Sequence, residues 1–198
     1  MPAAVGRSLE MSGSVAVPPR ILLIGLSGVG KSTLAQALCS RWELPHVHID
    51  GFRREYGDGT VAGDYFARAW FLRACSRTPR GIFEFSGSGI HRAAVRQAFQ
   101  ESAIPLLTVW LVIPHARRHE RLAARQKPDT PWPDWNLAVS SSVIDEDGQR
   151  VLEQDLSQGF WEGPPGWRAA RLEAVDPFEI LHQRFMELVQ EPTSRGCP

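Results

Sequence analysis

Gly25-Leu-Ser-Gly-Val-Gly-Lys31-Ser32-Thr33 is the stretch from which the rest of the chain can be read. It fits the pattern GxxxxGK[ST], and each position has a physical reason. Glycine carries no Cβ, so the backbone can turn successive N–H groups inward around an anion. The expected donors are the backbone amides of Gly25, Ser27, Gly28, Val29, Gly30, Lys31, Ser32 and Thr33. A helix starting at Lys31 aims its positive end at the same point. Lys31 reaches the β- and γ-phosphates of a nucleoside triphosphate, and the Ser32 hydroxyl ligates Mg²⁺. An ordinary Gly-rich turn would not require particular flanks. Here the apolar run ILLIG (21–25) precedes the loop and KSTLAQALCSR (31–41) follows it, with Leu34, Ala37, Leu38 and Arg41 spaced for one helical face.

Outward from the loop, apolar runs alternate with amphipathic ones. Strands are expected at 21–25, 46–50 (HVHID), 81–86 (GIFEFS), 106–113 (LLTVWLVI) and, more weakly, 171–175. Helices are expected at 31–41, 62–77, 90–102, 114–125 and 177–190, with another near 145–156. Strands alternating with helices predict an α/β fold whose parallel sheet is covered on both faces. Residues 126–166 break the rhythm with prolines, three tryptophans (Trp132, Trp135, Trp161) and the run SSSVIDEDGQR. A partly irregular excursion of that length reads as a functional lid, placed at about 126–145. Residues 1–19 and 192–198 read as flexible tails around a single domain at 20–191.

Composition narrows the function. The 198 residues carry 22 Lys plus Arg against 22 Asp plus Glu, which argues against a nucleic-acid coat or a polybasic membrane binder. No apolar run approaches the ~20 residues needed to span a bilayer. The first residues lack the basic start and continuous apolar stretch of a signal peptide. Three cysteines (Cys39, Cys75, Cys197) form no CxxC pair, so neither a disulfide framework nor a cysteine zinc site is expected, and the cytoplasm is the expected compartment. Only two lysines, Lys31 and Lys127, stand among twenty arginines.

GLSGVGKST, together with HVHIDGFRRE and VWLVIPHARRHERLAARQKP, resembles the P-loop kinases of the nucleoside-monophosphate, shikimate and gluconate kinase type over roughly residues 20–190. The resemblance implies a three-layer P-loop NTPase fold, a five-stranded parallel sheet of order 2-3-1-4-5, a short lid, and ATP with Mg²⁺ as cofactors. The implied activity is transfer of the γ-phosphoryl to a hydroxyl of a small molecule or nucleotide.

Candidate residues follow from both readings. Asp50 lies where a strand ends, and parallel-sheet sites sit at the carboxyl ends of strands. A carboxylate there can accept the acceptor's hydroxyl proton or help hold Mg²⁺. The competing role is a helix N-cap. Arg53 and Arg54 follow it, and Asp50-x-x-Arg53 also resembles polynucleotide 5′-kinases, the rival reading, in which the Arg holds an acceptor phosphate. The turn Ser86-Gly87-Ser88-Gly89 closes the third strand and offers amides to the acceptor. The usual Walker B aspartate is absent from that strand, so Asp50 or Glu84 must assist the metal, with Asp50 favoured. Arg118, Arg121 and Arg125 form one helical stripe. By resemblance, Arg121 or Arg125 stacks on the base and Lys127 reaches the phosphates as a catalytic cation. Asp176 marks the base-binding turn. His46 and His48 share a strand face, but the sequence names no third metal ligand for them. A regulatory nucleotide-binding module with no acceptor is the remaining alternative.

Overall fold

The structure is a computed structural model; it describes residues 18–89, 91–124, 141–174 and 177–190, with the backbone alone for 141–146. Among these residues the elements run β1 (Arg20–Ile24), α1 (Lys31–Trp42), β2 (His46–His48), α2 (Ile49–Tyr56), α3 (Val61–Arg77), β3 (Gly81–Glu84), α4 (Arg92–Gln100), β4 (Leu106–Val112), α5 (His115–Ala124), α6 (Ser141–Ser157), β5 (Arg168–Glu173) and α7 (Phe178–Gln190).

The strands form one sheet of order β2-β3-β1-β4-β5, with every pair parallel. This is the order implied by the family resemblance. Parallel strands need crossovers, and crossovers are right-handed. The chain steps from β1 over β3 to β2, then back through β3 to β4 and β5. That reversal sends α1 to one face and α4 and α6 to the other. The contacts agree: Trp42 of α1 meets Phe185 of α7 at 6.3 Å between ring centroids. On the opposite face, Arg96 of α4 donates to the Phe160 carbonyl just after α6.

β1 and β4 lie inside the sheet with both faces covered, and every residue in them is buried. Their continuous apolar runs are the expected signature of such strands. Around them pack Leu34 and Leu38 of α1, Phe71 of α3, Phe99 of α4, Leu152 of α6 and Phe185 of α7. Trp161, expected in an irregular excursion, is a core residue at 1% exposure.

Three strands differ from the sequence expectation by two or three residues. β2 stops at His48, because Ile49 and Asp50 already belong to the first turn of α2. β3 ends at Glu84 rather than Ser86. β5 begins at Arg168, three residues early, and only Leu172 in it is deeply buried. A strand with so little apolar content gives no run to recognise. The helix expected near 145–156 spans Ser141–Ser157.

Candidate active site

The phosphate loop leaves the carboxyl end of β1 and closes on Gly30, the N-cap of α1. Gly25, Gly28 and Gly30 all have positive φ (143°, 86° and 100°). At Gly25 a Cβ would stand 2.5 Å from the Leu111 carbonyl oxygen of β4, so only glycine lets the loop depart this close to the neighbouring strand. The Gly25 amide donates to the Ser86 carbonyl at 3.1 Å and ties the loop to the turn after β3.

Lys31 is buried, and its Nζ donates to the Gly25 and Leu26 carbonyls at 2.9 and 3.1 Å. These are neutral acceptors. A triphosphate presents charged oxygens to the same donors, and charge-assisted bonds are roughly twice as strong. Ser32 Oγ donates to Glu84 Oε1 at 2.8 Å, bringing the hydroxyl expected to ligate Mg²⁺ to a carboxylate at the end of β3. Glu84 Oε2 lies 3.1 Å from His46 Nε2. Burial alone would raise the Glu84 carboxyl. The His46 hydrogen bond, the Lys31 ammonium and the Ser32 hydroxyl outweigh it and hold the group below the ordinary carboxylate range. A positive-φ cradle, a buried cation with redirectable donors and a hydroxyl–carboxylate pair fit a nucleotide with its magnesium.

Two arginines of α5 stand behind the loop. Arg118 is buried, and its Nη1 donates to the Ser27 carbonyl at 3.4 Å. Arg121 Nη1 donates to the Val29 carbonyl, also at 3.4 Å, and lies 3.7 Å from where a Gly30 Cβ would stand. The stripe read in the sequence therefore faces the loop through two of its members. Its third member, Arg125, together with Lys127, Asp176, Trp132, Trp135 and most of the expected lid, lies outside the described residues.

A cavity of about 330 Å³ opens between Leu26 and Val29 of the loop, the Val112–Ile113 end of β4, and Gln149 and Glu153 of α6. α6 crosses close above the loop. A Cβ on Gly148 would stand 2.9 Å from the Leu26 side chain and 3.4 Å from Ser88 Oγ.

On the other side, Asp50 sits in the first turn of α2, 40% exposed, with Oδ1 accepting from Arg53 Nη1 at 2.8 Å. Arg53 is itself buried, and its Nε donates to Asp64 Oδ1 at 2.7 Å. Asp64 Oδ2 accepts from Arg68 Nε at 2.6 Å. Arg54 is exposed. The turn Ser86–Gly89 follows β3, with Ser86 Oγ donating to the Ser88 carbonyl at 3.3 Å. At Gly87 (φ 78°) a Cβ would stand 2.7 Å from both Ile24 and Leu152, so this turn is pressed between β1 and α6.

Sequence reasoning preferred Asp50 over Glu84 beside the metal ligand. The structure places Glu84 on Ser32 and Asp50 on Arg53. What singles out Glu84 is the register of the sheet: β1 and β3 pair in parallel with Leu23 opposite Glu84, so Glu84 ends its strand beside the start of the loop.

The fold recurs in solved structures. A shikimate kinase from Acinetobacter baumannii in complex with shikimate aligns over 90% of this chain and 96% of its own, with a TM-score of 0.59 and 17% identity. A shikimate kinase from Bacteroides thetaiotaomicron covers 86% and 98%, with a TM-score of 0.57 and 16% identity. A gluconokinase from Sinorhizobium meliloti 1021 covers 87% and 92%, with a TM-score of 0.56 and 18% identity. The fold is that of the small P-loop kinases. No protein-family model matches the sequence, and no curated protein does. Among the described residues of this P-loop kinase fold, no helix is long and apolar enough to cross a membrane.

Proposed function

We propose that the protein is an ATP-dependent kinase that transfers the γ-phosphoryl of ATP–Mg²⁺ to a hydroxyl of a small molecule or nucleotide in the cytoplasm. The observation that carries this reading is the Ser32–Glu84 hydrogen bond at the mouth of the phosphate loop. It puts the hydroxyl expected to ligate the metal beside a carboxylate, which supports a magnesium-bound triphosphate as the ligand of the loop. The likeness to shikimate and gluconate kinases supports a small acceptor.

In this reading the loop amides and Lys31 hold the phosphates, and Ser32 with Glu84 holds the magnesium, directly or through its waters. Arg121 lies against the nucleotide. Asp50, oriented by Arg53, accepts the proton of the attacking hydroxyl while the new O–P bond forms and ADP departs. Ser86–Gly89 offers its amides to the acceptor. Such a reaction needs little covalent assistance; positioning and charge neutralisation provide most of the catalysis. Arg53 is buried between two carboxylates, which argues for a positioning role and against its gripping a phosphorylated end of a polynucleotide.

The test is acceptor-dependent ADP release across a library of hydroxyl-bearing metabolites and nucleosides, with 5′-hydroxyl oligonucleotides as a separate arm. Release stimulated by one small acceptor and abolished in Lys31→Ala supports the reading. Stimulation by oligonucleotides alone, or ATP hydrolysis that no acceptor stimulates, overturns it.

A further inference from the structure

β2 carries two histidines that phosphoryl transfer does not require. His46 and His48 alternate along an edge strand, so their side chains share one face. Their rings stand 4.3 Å apart between centroids and 19° from parallel. The β2–β3 register sets His48 directly opposite Glu84. One donor atom from each of His46, His48 and Glu84 lies within 4.8 Å of the others, and all three residues are half-buried. The third ligand invisible in the sequence is thus supplied by the neighbouring strand.

We propose that His46, His48 and Glu84 form a site for a borderline divalent transition metal of the Zn²⁺ class, separate from the ion carried by ATP. Bonds of about 2.0–2.2 Å to nitrogen and carboxylate oxygen in tetrahedral geometry place donor atoms roughly 3.3 Å apart. The His46 Nε2 to Glu84 Oε2 separation is already 3.1 Å. The remaining spread closes by rotating one imidazole about χ2, because two nearly parallel rings cannot aim their lone pairs at a common point. Binding replaces the His46–Glu84 hydrogen bond by two bonds to the metal.

The carboxylate can serve both neighbours. Oε1 accepts from Ser32 while Oε2 faces the histidines, so a metal on Oε2 leaves the Ser32 contact in place. Two imidazoles and one carboxylate select Zn²⁺, Co²⁺ or Fe²⁺ over Mg²⁺, which demands six oxygen-rich positions and keeps its water. Two ligands on the edge strand and one on its neighbour leave a fourth position open, as in catalytic rather than structural zinc sites.

A second histidine pair, His115 and His119 on α5, lies 3.0 Å apart between Nε2 atoms, but no third donor joins it among the described residues. The experiment must therefore distinguish the two pairs. Zn²⁺ is titrated calorimetrically into the nucleotide-free full-length protein in a large excess of Mg²⁺. The expected result is one ion per chain, bound at least ~10-fold more weakly by His46→Asn and by His48→Asn. His119→Asn should leave that affinity unchanged. In the unaltered protein, Zn²⁺ should also shift the ring NMR signals of His46 and His48, a readout independent of any substitution. The proposal is overturned by absence of stoichiometric binding, by loss of binding to Mg²⁺ competition, by a loss in His119→Asn that His48→Asn does not share, or by unmoved His48 signals.

Discussion

On the proposed reading, Lys31, Glu84 and Asp50 divide the chemistry in ways that substitutions can separate. Lys31→Ala removes the buried cation that now rests on the Gly25 and Leu26 carbonyls. Losing one preorganised charged donor at a phosphoryl centre should lower turnover by at least ~10². The melting temperature should change little, because the hydrogen bonds from Nζ to Gly25 and Leu26 lie within the loop and not in the core. An undiminished rate in folded Lys31→Ala would remove the loop from the mechanism. Glu84→Gln and Asp50→Asn form a matched pair. If Glu84 assists the metal, its amide variant should need more Mg²⁺ to reach half-maximal rate. Asp50→Asn should keep the wild-type Mg²⁺ requirement and lose ~10²–10⁴ in transfer, the usual contribution of a general base. Asn caps a helix about as well as Asp, so an Asp50 that only caps α2 would give normal turnover. Rate measured against Mg²⁺ concentration for the two variants reads both roles. Of the two described cysteines, burial pushes the Cys39 thiol up to about 11 and Cys75 higher, so both are held as neutral thiols at neutral pH.

At the scale of elements, the side proposed for the acceptor depends on how α2 is held to α3. The clamp is a chain of charges: Asp50 to Arg53, Arg53 to Asp64, and Asp64 to Arg68. Asp64 is its centre, 6% exposed. Burial would raise its carboxyl, yet the hydrogen bonds and charges of Arg53 and Arg68 leave it below the ordinary Asp value. The sign of the linkage follows. A depressed acid stabilises the fold above the unfolded-state value, and that contribution disappears as pH falls through the native one. Asp64→Asn leaves the buried Arg53 half-paired, which should destabilise the protein by about 3–5 kcal/mol at neutral pH. The variant should also lose stability less steeply below the ordinary Asp value than the parent does. Urea melts at several pH values check this, and parallel pH profiles for the two proteins would show that Asp64 contributes no linked charge. The elements themselves were legible where burial is two-sided, as in LLTVWLV of β4, because a run with no polar face permits little else. β5 was misplaced because RAARLE buries little, and β2 was read too long because an Asp at a strand end and an Asp in a first helical turn look alike in one dimension. Glu84's partner could not be read at all, since pairing with Ser32 depends on the register between β1 and β3.

Across the whole molecule, the two ends of the sheet carry different burdens. The carboxyl ends of β1, β2 and β3 hold Ser32, Asp50, Glu84 and the Ser86–Gly89 turn. At the opposite end Arg20 opens β1 with no exposure, its guanidinium 5.6 Å from the Phe83 ring and 5.2 Å from Phe99. Its Nε donates to the Thr78 carbonyl at 2.8 Å and its Nη2 to the Cys75 carbonyl at 2.5 Å, with Nη1 on Ser102 Oγ. One side chain therefore joins the end of α3 and the turn after α4 to the central strand. Nothing in a lone Arg ahead of ILLIG signals this, because its acceptors lie more than fifty residues away. Arg20→Met keeps apolar bulk between the phenylalanines but leaves two carbonyls without their donor, at roughly 1–3 kcal/mol each. The expected outcome is a lower urea midpoint with an unchanged m-value, while folded Arg20→Met binds ATP–Mg²⁺ as the parent does. Lys31→Ala should behave in the opposite way, with stability kept and nucleotide affinity lost. Measuring both quantities on both variants tests whether stability and chemistry are separated along the strands. A large loss of ATP affinity in folded Arg20→Met would show instead that the two ends of β1 are coupled through the sheet.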